Sequence, residues 1–124
     1  MSGMPQVNLI VAAADGRRFY AALEAAIGWA ALGRSVRLFL QGEAVSLLRE
    51  PIAHAGDAAR RAAGQPDLAW MIGEAMDMEV RLFACQTGMT LANLTAADFD
   101  AAIRPIGLIG FLADCDPTGM TISF

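Results

Sequence analysis

Val80-Arg81-Leu82-Phe83-Ala84-Cys85-Gln86-Thr87-Gly88-Met89-Thr90 is the stretch from which the rest of the chain can be ordered. An apolar, β-rich run ends in a cysteine and gives way at once to Gln, Thr and Gly, the pattern of a buried parallel strand handing over to a helix. Cys85 therefore falls at the mouth of a sheet. The first N–H groups of a helix lack intrahelical acceptors and favour negative charge, so Gln86, Thr87 and Gly88 form a turn suited to an anion such as a thiolate. Two readings of Cys85 stand side by side: a catalytic nucleophile, or a small apolar residue that fills a strand end.

Upstream, Pro66-Asp67 opens a helix through Leu68, Met71, Ile72, Ala75 and Met76, with Asp67 as its cap or first-turn acid. The stretch from Ile52 to Pro66, which holds His54, Asp57, Arg60 and Arg61, is small, polar and aperiodic. It reads as a mobile, solvated loop with room for a turn of helix. Earlier still, Val7 to Ala14 is a β-branched apolar strand, and Asp15 caps a helix in which Phe19, Leu23, Ala26, Ile27 and Ala30 recur at helical spacing up to a stop at Gly33. Ser35 to Gln41 is a second strand, so the two strands and their helix make a parallel unit with a right-handed crossover. Ala44 to Arg49 continues as a short helix that ends before Pro51.

Downstream, Thr95 with Asp98 caps a helical piece from Ala96 to Ile103. Arg104-Pro105-Ile106-Gly107 is a turn or a very short strand, Leu108 to Ala113 a helix, and Thr118 to Phe124 an alternating terminal strand. The order predicts one domain over residues 1–124, an open, mostly parallel α/β sheet with helices on both faces. Ligands of such sheets gather at the carboxyl ends of the strands, where Cys85 lies. Cys115 precedes its strand, so a parallel last strand puts it at the opposite end, out of disulfide reach, in a packing role.

Composition narrows the function classes. The formal net charge of -4 gives no electrostatic reason to expect nucleic acid or an anionic membrane as a partner. All nine basic residues are Arg, which removes Schiff-base and P-loop lysines. Two separated cysteines make no disulfide scaffold, and His54 alone cannot build a histidine-rich zinc site. No metal is expected. The opening Met1-Ser2-Gly3-Met4-Pro5 lacks the basic start and apolar centre of a signal peptide, and no apolar run reaches the ~18 residues of a membrane span. A cytoplasmic protein is expected. The hydrophobic share of 56% exceeds the roughly 45–50% usual for soluble chains, which points to apolar surface buried between subunits.

The cysteine segment, Val80 to Cys85 followed by Gln86-Thr87-Gly88-Met89, resembles that of the DsrE/DsrF-like family. The similarity extends in outline to the apolar first strand, the alanine-rich first helix, the Val36 to Leu40 strand, and the closing helix, acidic turn and strand. The resemblance implies a flavodoxin-like fold, homo- or hetero-oligomers, and a persulfide carried on Cys85 between sulfur donor and acceptor proteins, with no cofactor; the apolar excess makes a homo-oligomer (trimer or hexamer) the expectation here. It implies competence for sulfur relay. The alternative is a non-catalytic oligomeric binding or assembly subunit of the same family, in which Cys85 is buried. A third reading, flavin or nucleotide binding at Thr87-Gly88-Met89-Thr90, is weaker because such a turn follows the first strand in flavodoxins and the third here.

Overall fold

The computed structural model describes residues 5–124; Met1 to Met4, most of the segment read for a leader, lie outside the described residues. Five strands form one sheet: β1 (Val7–Val11), β2 (Val36–Leu40), β3 (Arg81–Cys85), β4 (Arg104–Ile106) and β5 (Met120–Ser123). The order across the sheet is β4-β3-β2-β1-β5, and every pair is parallel. This is the expected α/β architecture, with the very short strand realised as β4.

The helices are α1 (Gly16–Ala31), α2 (Asp57–Ala62), α3 (Leu68–Asp77), α4 (Gln86–Leu91) and α5 (Leu108–Ala113), with 3-10 turns at Gly42–Leu48 and Ala96–Asp98. Local chemistry sets their ends. Asp15 accepts from the Arg17 N–H at the start of α1, and Asp67 accepts from the Trp70 N–H at the start of α3. Gly33 takes a positive φ of 85° just past α1, a conformation that favours glycine.

Register and alternation sort the side chains. Leu9, Leu38 and Leu82 stand level on neighbouring strands and share one face of the sheet. Phe39 and Phe83 share the other, where Phe111 of α5 stacks on Phe39 at 4.8 Å and meets Phe83 edge-on at 5.6 Å. The chain steps one way along the sheet from β1 to β4 and returns the other way to β5, so right-handed crossovers put α1 and α3 on one face and α5 on the opposite face.

Two expectations change. The stretch from Ile52 to Pro66 contains a true helix, α2, tied to α1 by buried Asp57, because that carboxylate collects donors from three directions. The helical piece expected from Ala96 to Ile103 stops after a single 3-10 turn. Thr95 and Asp98 do form the capping box, but Phe99 is extended and buried, and the chain turns into β4.

Candidate functional site

Cys85 is the last residue of β3 and the N-cap of α4, with extended backbone at φ -65° and ψ 122°. Alternation from Phe83 turns its side chain to the sheet face that α5 covers. It is buried, at 5% exposure. Gln86 and Thr87, the next two residues, are exposed, so solvent or a partner reaches the turn but barely the sulfur. The Gln86 side-chain oxygen lies beside Gly107, the N-cap of α5. The start of α5 is therefore the other wall of the Cys85 turn.

Gly88 has a packing reason to be glycine. A Cβ there would overlap the carbonyl of Gly42, where the first 3-10 turn begins. Gly42 itself holds a positive φ of 57°. Two glycines thus let α4 lie directly on the chain leaving β2, and the close approach accounts for the Gly without a phosphate.

Cys115 sits at the amino end of the sheet, ahead of β5. A five-residue strand spans roughly 16 Å, so the two free cysteines are beyond disulfide reach, as expected. Cys115 is half-buried and engaged in packing. Its sulfur accepts from Arg37 Nη1 at 3.3 Å and approaches the Phe111 carbonyl at 3.5 Å.

Arg37 was hidden in the pattern of its strand. It is 2% exposed, stacks on Phe111 at 4.1 Å, and donates to Asn8 Oδ1 at 3.0 Å and the Phe111 carbonyl at 3.0 Å. That carbonyl belongs to the last turn of α5, whose partial negative charge partly balances the guanidinium. The signal in the sequence was an Arg inside an otherwise apolar strand.

His54, Arg60 and Arg61 do not gather at Cys85. The imidazole of His54 occupies the space that a side chain on Gly16 would need, and its Nδ1 accepts from the Gly56 N–H at 3.0 Å. Gly16 begins α1, at the carboxyl edge beyond β1, two strands or roughly 10 Å of sheet from β3. Arg60 lies over the Tyr20 ring at 4.1 Å and donates to the Pro66 carbonyl at 2.7 Å, while Arg61 pairs with Asp67 at 2.9 Å.

Tyr20 and Asp57 form the hub of that region. Tyr20 donates its hydroxyl proton to Asp57, which also accepts from the His54 N–H at 2.8 Å and the Leu68 N–H at 3.0 Å. Burial, then the hydrogen bond and charge of Asp57, push the Tyr20 hydroxyl up to about 12. Burial by itself pushes Asp57 upward, but the donors from Tyr20, Leu68 and His54, with the charge of Arg61, hold it below the usual carboxylate range. Among the described residues no cluster of His, Cys, Asp or Glu could hold a metal.

An all-parallel α/β sheet with a free cysteine closing a central strand, beside the start of a helix, defines a small flavodoxin-like domain. The chain belongs to the DsrE/DsrF-like family, whose model matches residues 7–121. Its structure is similar to the crystal structure of the ychN protein from E. coli, with a TM-score of 0.75 and 14% identity over 98% of this chain and 100% of that one. It is also similar to the protein of unknown function MTH1491 from Methanobacterium thermoautotrophicum, with a TM-score of 0.71 and 14% identity at the same coverage. No curated protein matches the sequence.

Proposed function

We propose that this chain is a sulfur carrier that holds a persulfide on Cys85 and passes it to an acceptor thiol. The observation that carries the reading is the place of Cys85, at the carboxyl end of β3 and the head of α4, in a chain of the DsrE/DsrF-like family. The Cys85 thiolate attacks the outer sulfur of a donor persulfide; a new S–S bond forms at Cys85, the donor S–S bond breaks, and the donor leaves as a thiolate. An acceptor thiolate then takes the outer sulfur in the same way and frees Cys85. Neither step needs a metal, a cofactor or an external oxidant. The Cys85 side chain makes no capping hydrogen bond to α4, so the N–H groups of Gln86, Thr87 and Gly88 favour its thiolate through their partial positive charge.

Burial of Cys85 makes the reaction conditional on a local opening of the turn or on a docked partner. Ile109 and Leu112, exposed one helical turn apart on α5, offer an apolar surface that starts beside that turn. We assign this surface to a homo-oligomer, trimer or hexamer, of single-domain subunits in the cytoplasm. Incubation with a persulfide donor followed by intact mass measurement tests the carrier: a one-sulfur adduct in wild type that is lost in Cys85→Ser supports it. No adduct in wild type hands the chain to the alternative, a non-catalytic assembly subunit, which the same burial of Cys85 favours.

A further inference from the structure

α3 and the segments that lead to Pro51 and to β4 enclose an open groove of about 460 Å³. Its walls are mostly apolar, with Pro51, Ile72, Gly73 and Met76, and Glu50 and Asp100 line it as well. Neither carboxylate is in an ion pair among the described residues. Gly73 keeps the groove open. It lies midway along α3, where glycine weakens a helix, yet a Cβ on it would meet no atom within 4 Å. No contact within the chain calls for a glycine there, so the space above it is free for another molecule.

A patch of matching character lies across the sheet. Ile109 is 83% exposed and Leu112 46%, one helical turn apart on α5. Arg104 stands level with Phe83, whose ring meets α5, so its exposed side chain shares the face that α5 covers. It too is in no ion pair among the described residues. α3 and α5 cover opposite faces of the sheet, so this patch cannot fill the groove of its own chain.

We propose that α5 of one copy docks into the α3 groove of the next, with Ile109 and Leu112 entering over Gly73 and Arg104 lying against Glu50 and Asp100. This contact rests on the homo-oligomeric reading and names the surface that receives α5. It is head-to-tail, each copy offering a different patch, and a trimer is built from contacts of that kind. A two-fold pairing of α5 on α5 would also cover Ile109 and Leu112. It would leave the α3 groove bare and bring no cation to Glu50 or Asp100, and it closes at two copies. Because α5 begins beside the Cys85 turn, the head-to-tail contact also sets the neighbouring subunit next to that turn.

Sedimentation of the full chain tests it with two variants, Gly73→Leu, which fills the groove, and Ile109→Glu with Leu112→Glu, which spoils the patch. Each variant alone is expected to sediment lighter than wild type. An equimolar mixture of the two is expected to sediment heavier than either, because the intact patch of one variant meets the intact groove of the other. Arg104→Glu should weaken assembly about fivefold, and adding Asp100→Arg should restore it. If Gly73→Leu does not fold, Ala69→Glu, at an exposed position in the same wall, blocks the groove in its place. An oligomeric wild type whose mass is unchanged by Gly73→Leu or Ala69→Glu overturns this contact alone, as does a mixture no heavier than its components. A monomeric wild type overturns the homo-oligomeric reading and this contact with it.

Discussion

Tyr20 and Asp57 show how much rests on one buried pair. Tyr20 is the chain's single tyrosine, so its phenolate can be followed by ultraviolet absorbance without interference from another. Its ionisation in the folded protein is expected near about 12 rather than at the ordinary 10.0. A raised folded value means stability that is full below 10.0 and is lost as pH rises through about 12. Asp57 works in the opposite sense. Its lowered value supplies stability present above the ordinary carboxylate range and lost as acid protonates it in the folded state. Urea midpoints measured across pH should therefore fall at both extremes, and Tyr20→Phe should remove the alkaline fall while costing about 1–3 kcal/mol at neutral pH by taking one of two donors from a buried, charged carboxylate oxygen that then keeps only the Leu68 N–H. An unchanged alkaline limb in Tyr20→Phe would contradict this assignment. Gly88 makes a second prediction at this scale. Gly88→Ala drives a methyl into the Gly42 carbonyl and should destabilise by about 1–3 kcal/mol, read as a lower urea midpoint at unchanged slope.

At the scale of elements, α5 carries an unusual load for six residues. Phe111 alone brings an aromatic ring to Phe39 and Phe83, and its carbonyl to Arg37. Phe111→Ala should cost about 3–5 kcal/mol, since it opens a cavity and uncovers a guanidinium with no carboxylate partner within bonding distance among the described residues. Denaturant unfolding checks it, and a loss under 1 kcal/mol, well below the roughly 3–5 expected, would mean that α5 is not the cover of that face. The elements also show where sequence reading stops. β1, α1, β2, α3 and β3 were legible because apolar period, caps and the Gly33 stop agree. α2 was not, because its stability comes from Asp57 reaching Tyr20 on α1, a contact 37 residues away that leaves no periodic trace. The short piece after Thr95 was overread because a capping box marks a helix start and says nothing of its length.

For the molecule as a whole, the parallel order and the opposite ends of the two cysteines were legible, because alternating strands and helices leave few topologies and right-handed crossovers select among them. The chemical environment of Cys85 was not, since burial depends on α5 returning over the far face of the sheet. Burial also orders the thiols: half-buried Cys115 should react with a small alkylating reagent before Cys85 does in the native protein, and peptide mass mapping of a time course decides it. The exposed pair on α5 gives an assembly prediction. If the proposed oligomer forms, Ile109→Glu together with Leu112→Glu should convert it to monomer by sedimentation without loss of fold; an unchanged oligomer mass would place the interface elsewhere, and a monomeric wild type would contradict the assembly.

The central claim is that Cys85 carries sulfur, and the most direct measurement is intact mass after exposure to a persulfide donor, made on wild type, Cys85→Ser and Cys115→Ser. The account predicts one added sulfur on wild type and on Cys115→Ser, removable by a thiol acceptor, and none on Cys85→Ser. An adduct that survives in Cys85→Ser, or one that never forms on wild type, would contradict it.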